Sequence, residues 1–172
     1  MESNEEYWFA YRVFHNKIKS VIAQAQTDGW RVFVPMRTVE KVEGQRPQFI
    51  EEPVIPSLVF IRSTKEYMTA IRKDPNSYIG VYCHPGTSEP AVIDDREMDI
   101  FMFVTTTGCQ RLDAVDEKLV KGDRIRVTGG LFKGAEGYIT RVHGTKRFVV
   151  VIKGVAAVAT TFVPRCYIEK IG

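Results

Sequence analysis

The chain has 172 residues, 44% of them apolar and 26% charged; that suffices for one ordinary core or two small ones, and no apolar run approaches the ~18 residues that span a bilayer. Residues 1–6 are acidic and polar, unlike a secretory leader, and three widely spaced cysteines (Cys83, Cys109, Cys166) argue against a disulfide framework, so a cytoplasmic protein with no membrane segment is expected. The net charge of +3 is uneven: residues 1–115 hold 13 basic and 16 acidic side chains, and residues 116–172 hold 11 and 5, so the C-terminal part is a candidate for phosphate contact.

Tyr7–Val13 is aromatic and β-branched and reads as a strand. Asn16 is placed to cap a helix over 17–28, where Ile18, Val21, Ile22 and Ala25 recur at helical spacing and Asp28-Gly29 stops it. A second strand over 30–35 ends at a proline. Residues 37–48 are polar, with Gly44 and Pro47, and read as a hairpin loop or mobile excursion. Strands over 49–52 and 57–62 flank a turn bounded by Pro53 and Pro56. Lys65–Lys73 reads as a short helix, 79–83 as a strand, and 84–90 as a loop. A helix over 94–105 follows, capped by Asp94, with Glu97 completing a capping box. The order β-α-β-β-β-α-β-α implies an α+β sandwich, an antiparallel sheet with packed helices.

Residues 105–117 lack periodicity and read as a linker. Beyond it five short strands are expected, at 125–127, 138–142, 148–152, 155–162 and 167–171, with turns at Gly129-Gly130, Gly134, Gly144 and Gly154. Five short strands in so few residues suit a small barrel. The boundaries are therefore 1–106, a linker 107–117, and 118–172.

Nothing in the chain carries catalytic or cofactor chemistry. His15, His84 and His143 lie in separate segments, Cys83-His84 is not a zinc spacing, and no His-Glu-x-x-His, phosphate-binding glycine loop or nucleophile elbow occurs. The pair Asp94-Asp95 falls at a helix start, where capping explains it. A binding factor rather than an enzyme is expected, with no cofactor and no metal.

The most specific stretch is 121–137, Lys-Gly-Asp-Arg-Ile-Arg-Val-Thr-Gly-Gly-Leu-Phe-Lys-Gly-Ala-Glu-Gly. Ile125 and Val127 face one side of a strand and Arg124 and Arg126 the other. Gly129, Gly130 and Gly134 suit positive-φ turns. Phe132 stands at the tip, and Gly137 lets the next strand pass close. The stretch resembles a KOW motif, the SH3-like barrel of ribosomal proteins and elongation factors. The first part settles the wider likeness. The aromatic strand Tyr7–Val13, Val32-Phe-Val-Pro-Met36, a basic hairpin, Glu52-Pro-Val-Ile-Pro-Ser-Leu-Val-Phe-Ile61 and Glu89-Pro-Ala-Val-Ile-Asp94 resemble the N-terminal (NGN) domain of the NusG family. Two positions depart from that pattern. Pro56-Ser57-Leu58 stands where Pro-Gly-Tyr is usual, which, with 40–46, is similar to the operon-targeted RfaH/UpxY-type paralogues. Lys153-Gly154-Val155 stands where housekeeping members carry Phe-Gly-Arg, which puts the usual contacts to Rho and a ribosomal protein in doubt.

The resemblance implies a transcription elongation and antitermination factor whose N-terminal domain lays an apolar patch on the RNA polymerase clamp; nothing in the sequence demands an oligomer, so a monomer is expected. The matching positions are Phe14, Pro35, Ile55, Pro56 and Leu58, and Ile55 and Leu58 flank a proline-bounded turn where exposure is expected. The same likeness places Lys17, Lys19, Arg37, Lys41 and Arg46 toward the non-template DNA strand or nascent RNA. Arg124, Arg126, Phe132, Lys133, Lys146 and Arg147 are the candidate contacts of the barrel with a second partner, a ribosomal protein, another factor or RNA. Housekeeping NusG function, and a ribosome-associated KOW protein that binds RNA, stand as alternatives.

Overall fold

Aromatic and β-branched residues at 7–13 form β1 (Tyr7–Val13), the strand on which the first part of the chain is built. The computed structural model describes residues 4–107, 109–111, 122–130, 132–142, 145–152, 155–160 and 165–172. Backbone contacts divide it into two compact units, Met1–Cys83 with Ser88–Ile93, and His84–Thr87 with Asp94–Gly172.

In the first unit β1 pairs antiparallel with β5 (Leu58–Ser63) on one side and β6 (Ile79–Val81) on the other. β2 (Arg31–Phe33) adds to the outer side of β5, giving the order β2-β5-β1-β6. Alternate residues Phe9, Tyr11 and Val13 pack with Val59 and Ile61 against Val21 and Ala25 of α1 (Ile18–Thr27) and Met68 of α2 (Lys65–Lys73). Trp8, Ala10, Leu58 and Phe60, on the opposite face, are buried as well. The sheet is thus lined with large apolar groups on both sides, each worth roughly 1.5–3 kcal/mol when fully removed from water.

α2 starts where the sequence places it, with the Thr64 hydroxyl accepting from the Tyr67 N–H at 3.3 Å and Arg72 and Lys73 in its last turn. α1 does not use the expected cap. Its N-cap is Lys17, without a side-chain bond, because Asn16 is held left-handed at φ 55° and cannot adopt the extended geometry of a capping residue.

The stretch 37–48 is not a loop. β3 (Met36–Glu43) and β4 (Arg46–Pro53) pair in unbroken register from Met36↔Pro53 to Glu43↔Arg46. Opposed pairs explain the order: Val39 meets Ile50, Arg37 meets Glu52, and Glu43 meets Arg46. Nor is this hairpin basic. Its three basic residues, Arg37, Lys41 and Arg46, are outnumbered by Glu40, Glu43, Glu51 and Glu52.

The second unit opens with α3 (Asp95–Thr107), whose start Asp94 caps by accepting the Arg96 N–H at 2.8 Å. The five expected strands all form: β8 (Asp123–Val127), β9 (Glu136–Val142), β10 (Thr145–Ile152), β11 (Ala156–Thr160) and β12 (Ile168–Lys170). Cys109–Arg111, read as linker, forms a further strand, β7, beside β11. The order β12-β8-β9-β10-β11-β7 is compatible with a small KOW barrel carrying β7 as an added edge. α3 lies against β10 and carries buried Met98, Phe101 and Val104, so contacts group it with these strands, whereas the sequence reading ends the first domain at 106. Residues 112–121, Leu131, His143-Gly144, Lys153-Gly154 and 161–164, which include most of the expected linker and the first two residues of the Lys153-Gly154-Val155 turn, lie outside the described residues; Val155 itself is buried.

Gly137 has the role expected of it. A β-carbon there would sit 2.4 Å from the Val149 carbonyl oxygen and 2.7 Å from the Phe148 ring, so β9 and β10 approach only because it is absent. Gly130 and Gly134 adopt positive φ; Gly129 does not, and is needed because the Tyr167 ring lies against its α-carbon. Gly137→Ala is therefore expected to cost roughly 1–3 kcal/mol of stability, read as a lower urea midpoint; an unchanged midpoint would show that the two strands can separate freely.

Candidate functional site

Because β1 runs antiparallel to both neighbours, its C-terminal end lies beside the starts of β5 and β6. The Val13 N–H donates to the Ser57 carbonyl at 2.8 Å, and the Phe14 N–H donates to the Tyr78 carbonyl at 2.9 Å. Residues distant in sequence thus meet at one end of the sheet. That end holds every non-glycine residue with positive φ among the described residues: His15 and Asn16 at 55°, Ser57 at 66° and Tyr78 at 54°. Left-handed backbone costs a β-carbon-bearing residue on the order of 1 kcal/mol, so four such residues in one place mark a shape that the packing enforces.

The side chains at this end are aromatic and open to water. Phe14 is 45% exposed, with its ring over the α-carbon of Gly80, and Tyr78 is exposed beside it. The His15 ring meets Tyr78 edge-on at 5.4 Å, and the Lys17 ammonium lies 5.9 Å from the Tyr78 ring centre. Pro56 is exposed in the neighbouring turn. That turn closes with the Leu58 N–H directed at the Ile55 carbonyl, 3.4 Å away. Pro56 and a positive-φ Ser57 at its centre give a type II geometry, which glycine would fill without strain.

Of the five apolar positions expected here, two are presented and three are not. Phe14 and Pro56 face solvent, whereas Pro35 and Ile55 are buried and Leu58 is 0% exposed. The expectation of exposure for Ile55 and Leu58 fails because the turn folds back on the sheet: Pro35 accepts the Val54 N–H at 2.7 Å, drawing 54–55 into the packing, and Leu58 already belongs to β5. An aspartate at Ile55 would be buried, so loss of binding there would report unfolding. Tyr78 and His15 were missed by sequence reasoning. Tyr78 follows an Asp-Pro-Asn-Ser turn, and no periodicity distinguishes it from a core residue.

The basic candidates divide similarly. Lys17, Lys19 and Arg46 are exposed. Arg37 donates to Glu52 at 2.7 Å, and Lys41 lies 4.0 Å from the same carboxylate. In the second unit Ile125 and Val127 are buried and Arg124 and Arg126 are exposed, as the alternation requires. Phe132 is buried rather than exposed, its ring edge-on to Phe103 at 6.1 Å. Lys133 is exposed, Arg147 is half-buried, and the Lys146 side chain lies outside the described residues.

Glu136 organises the arginines. Arg126 donates through Nε at 3.1 Å and through a terminal nitrogen at 2.8 Å, Arg96 of α3 donates at 2.7 Å, and Arg124 lies at 3.5 Å. The Arg126 hydrogen bond, then the nearby charges of Arg96, Arg126 and Arg124, hold the Glu136 carboxyl below the usual range against the opposing effect of desolvation. A pocket of about 290 Å³ lies beside it, lined by Asp94, Arg96, Glu97, Arg124 and Tyr138 among others. Across it, burial and the Asp94 charge push the Glu97 carboxyl up. Among the described residues no cluster of three His, Cys, Asp or Glu could hold a metal, and no helix is long and apolar enough to cross a membrane.

A family model described as transcription termination factor nusG matches residues 6–102, more than half of the chain. The transcription termination/antitermination protein NusG of Lactococcus lactis subsp. lactis (strain IL1403) is 27% identical over 119 residues, covering 67% of this chain and 62% of that protein. The chain thus spans less than two thirds of the length of that relative.

Replacing Ser57 by glycine is expected to raise stability by about 1 kcal/mol, seen as a higher urea midpoint at unchanged slope; a lower midpoint would assign the serine a contact worth more than the strain. Glu136 has a lowered folded pKa, so its contribution is complete above the unfolded value of about 4.3 and is lost as pH falls through the folded one. The stability gap between wild type and Glu136→Gln should therefore be constant from pH 7 to about 5 and close at lower pH. A gap that stayed constant to pH 2 would remove the arginine hub as its cause.

Proposed function

Because the chain belongs to the NusG family of transcription factors, we propose that it is a transcription elongation and antitermination factor that docks on RNA polymerase through the strained aromatic end of its first unit. One observation carries this reading. Phe14, Pro56 and Tyr78 form an exposed apolar surface on backbone held in a conformation that local sequence disfavours. An interface built this way is preorganised, so ordering costs little on binding. Aromatic anchors on a rigid platform are what a tight contact with another protein's helices requires.

Lys17 and Lys19, on and just before α1, stand near this end and suit the phosphates of the non-template strand. Arg37 and Lys41 contribute less to that role, since Glu52 neutralises part of their charge. The second unit reaches a further partner through Arg124 and Arg126, exposed around the Glu136 hub, and through the exposed Lys133. Ser57 in place of the usual glycine supports an operon-targeted paralogue over a housekeeping member. A ribosome-associated RNA-binding role would leave the first unit's exposed aromatic end without a use.

The test is co-purification of the full chain from lysate. Phe14→Ala combined with Tyr78→Ala should lower polymerase recovery by about tenfold, equivalent to roughly 1.4 kcal/mol, with an unchanged urea midpoint. Undiminished recovery overturns the docking surface. Ribosomal RNA as the principal catch of the unsubstituted chain overturns the transcription reading.

A further inference from the structure

The β3–β4 ribbon has two edges of very different character, and the register assigns them. Residues at opposed positions alternate between pairs that exchange hydrogen bonds and pairs that do not. The bond from the Val54 N–H to Pro35 fixes the phase. Pairs 37↔52, 39↔50, 41↔48 and 43↔46 bond to each other, and pairs 36↔53, 38↔51, 40↔49 and 42↔47 turn their backbone groups outward. On the β4 edge two of the four outward positions are Pro47 and Pro53, which have no N–H to offer. On the β3 edge the outward positions are Met36, Thr38, Glu40 and Val42, all able to donate and accept. Among the described residues no strand pairs with this edge.

The ribbon also has little of its own to bury. Val42 is 70% and Phe49 73% exposed, and they share a face with Met36. A two-stranded ribbon is marginally stable in water, and a third strand is the usual remedy. Prolines on one edge and open donors on the other are how a sheet admits a strand on one side only.

We infer that the open edge of β3 is a binding site for an extended segment of a partner protein, which adds to the ribbon as a third strand. The charges along β3 define its chemistry. Arg37 and Lys41 sit four apart on one face, with Val39 between them, and their partner Glu52 lies one strand further from the edge. The incoming strand should therefore carry acidic residues four apart on that face. On the other face it should carry apolar residues at its ends, opposite Met36 and Val42. A second copy of this chain fits poorly. Antiparallel self-pairing centred on Val39 opposes Arg37 to Lys41 twice, and centring on Glu40 stacks that residue on itself. A nucleic acid strand would use neither the open backbone donors and acceptors of β3 nor the alternation of charged and apolar side chains along it.

The probe is a fluorescein-labelled, amidated heptapeptide Val-Glu-Thr-Val-Thr-Glu-Val, whose symmetry fits either strand direction, with the same peptide carrying lysine for glutamate as its opposite. Fluorescence anisotropy with the full chain should show saturable binding of the acidic peptide and about tenfold weaker binding of the basic one. Thr38→Pro removes an outward donor and should weaken the acidic peptide about tenfold, whereas Glu51→Pro, at an outward position of the other edge, should leave it unchanged. Lys41→Glu, which leaves the backbone untouched, should reverse the preference between the two peptides. No saturable binding, equal losses in the two proline variants, or an unreversed preference in Lys41→Glu would overturn the site. So would a dimer in sedimentation that Thr38→Pro dissociates, or displacement of the peptide by single-stranded DNA.

Discussion

The first unit depends on β1 being hydrogen-bonded along both edges by antiparallel neighbours. β1 is also covered on both faces: Trp8, Phe9, Ala10, Tyr11 and Val13 are all buried. And where β1 ends, two other strands must begin, so Phe14, Ser57 and Tyr78 are brought to one place by backbone hydrogen bonds rather than by side-chain affinity. The left-handed residues gathered there are stabilised by the same ladders: the chain must turn sharply to enter or leave the sheet, and the burial of the strands outweighs the local strain.

Charge on this protein is shaped by carboxylates placed among the basic groups. Glu52 holds Arg37 and stands near Lys41, and Glu136 gathers Arg96, Arg124 and Arg126. In the second case one carboxylate faces three guanidinium groups, and further carboxylates stand close by: Glu169 opposite Arg126, and Asp94 and Glu97 in the pocket that Arg96 and Arg124 line. The unevenness of charge along the sequence is therefore offset locally, and the arginines sit in a cluster of mixed charge. In the β3–β4 ribbon acidic residues likewise interleave with basic ones, and the distinctive property is the unequal pair of edges.

Comparison of the two units also separates packing glycines from turn glycines. Gly137 is required by the closeness of two strands, and Gly130 and Gly134 by the direction of the chain. At Ser57 the chain meets the same directional demand with a residue that resists it. The serine keeps the turn and gives up some stability, an exchange that makes sense where a surface group matters more than the last kilocalorie.

The sequence by itself determined nearly every element, because hydrophobic period and turn chemistry are local properties. β1, α2 and the five strands of the second unit follow from spacing alone, as does the need for a small residue at Gly137. The arginines opposite Ile125 and Val127 were legible for the same reason, whereas Phe14 and Pro56 were singled out only by the family resemblance, and their exposure is a finding of the structure. Only the tertiary structure decided burial at the turns. Ile55, Leu58 and Phe132 look alike in sequence to an exposed apolar tip, yet all three are buried, Phe132 beside the ring of the distant Phe103. Tertiary structure also made a ribbon of a polar stretch, through cross-strand pairs that no window of neighbouring residues reveals. It alone brought Tyr78 to Phe14, since which strands lie beside β1 is settled by the free energy of the whole sheet, not by the residues at its end.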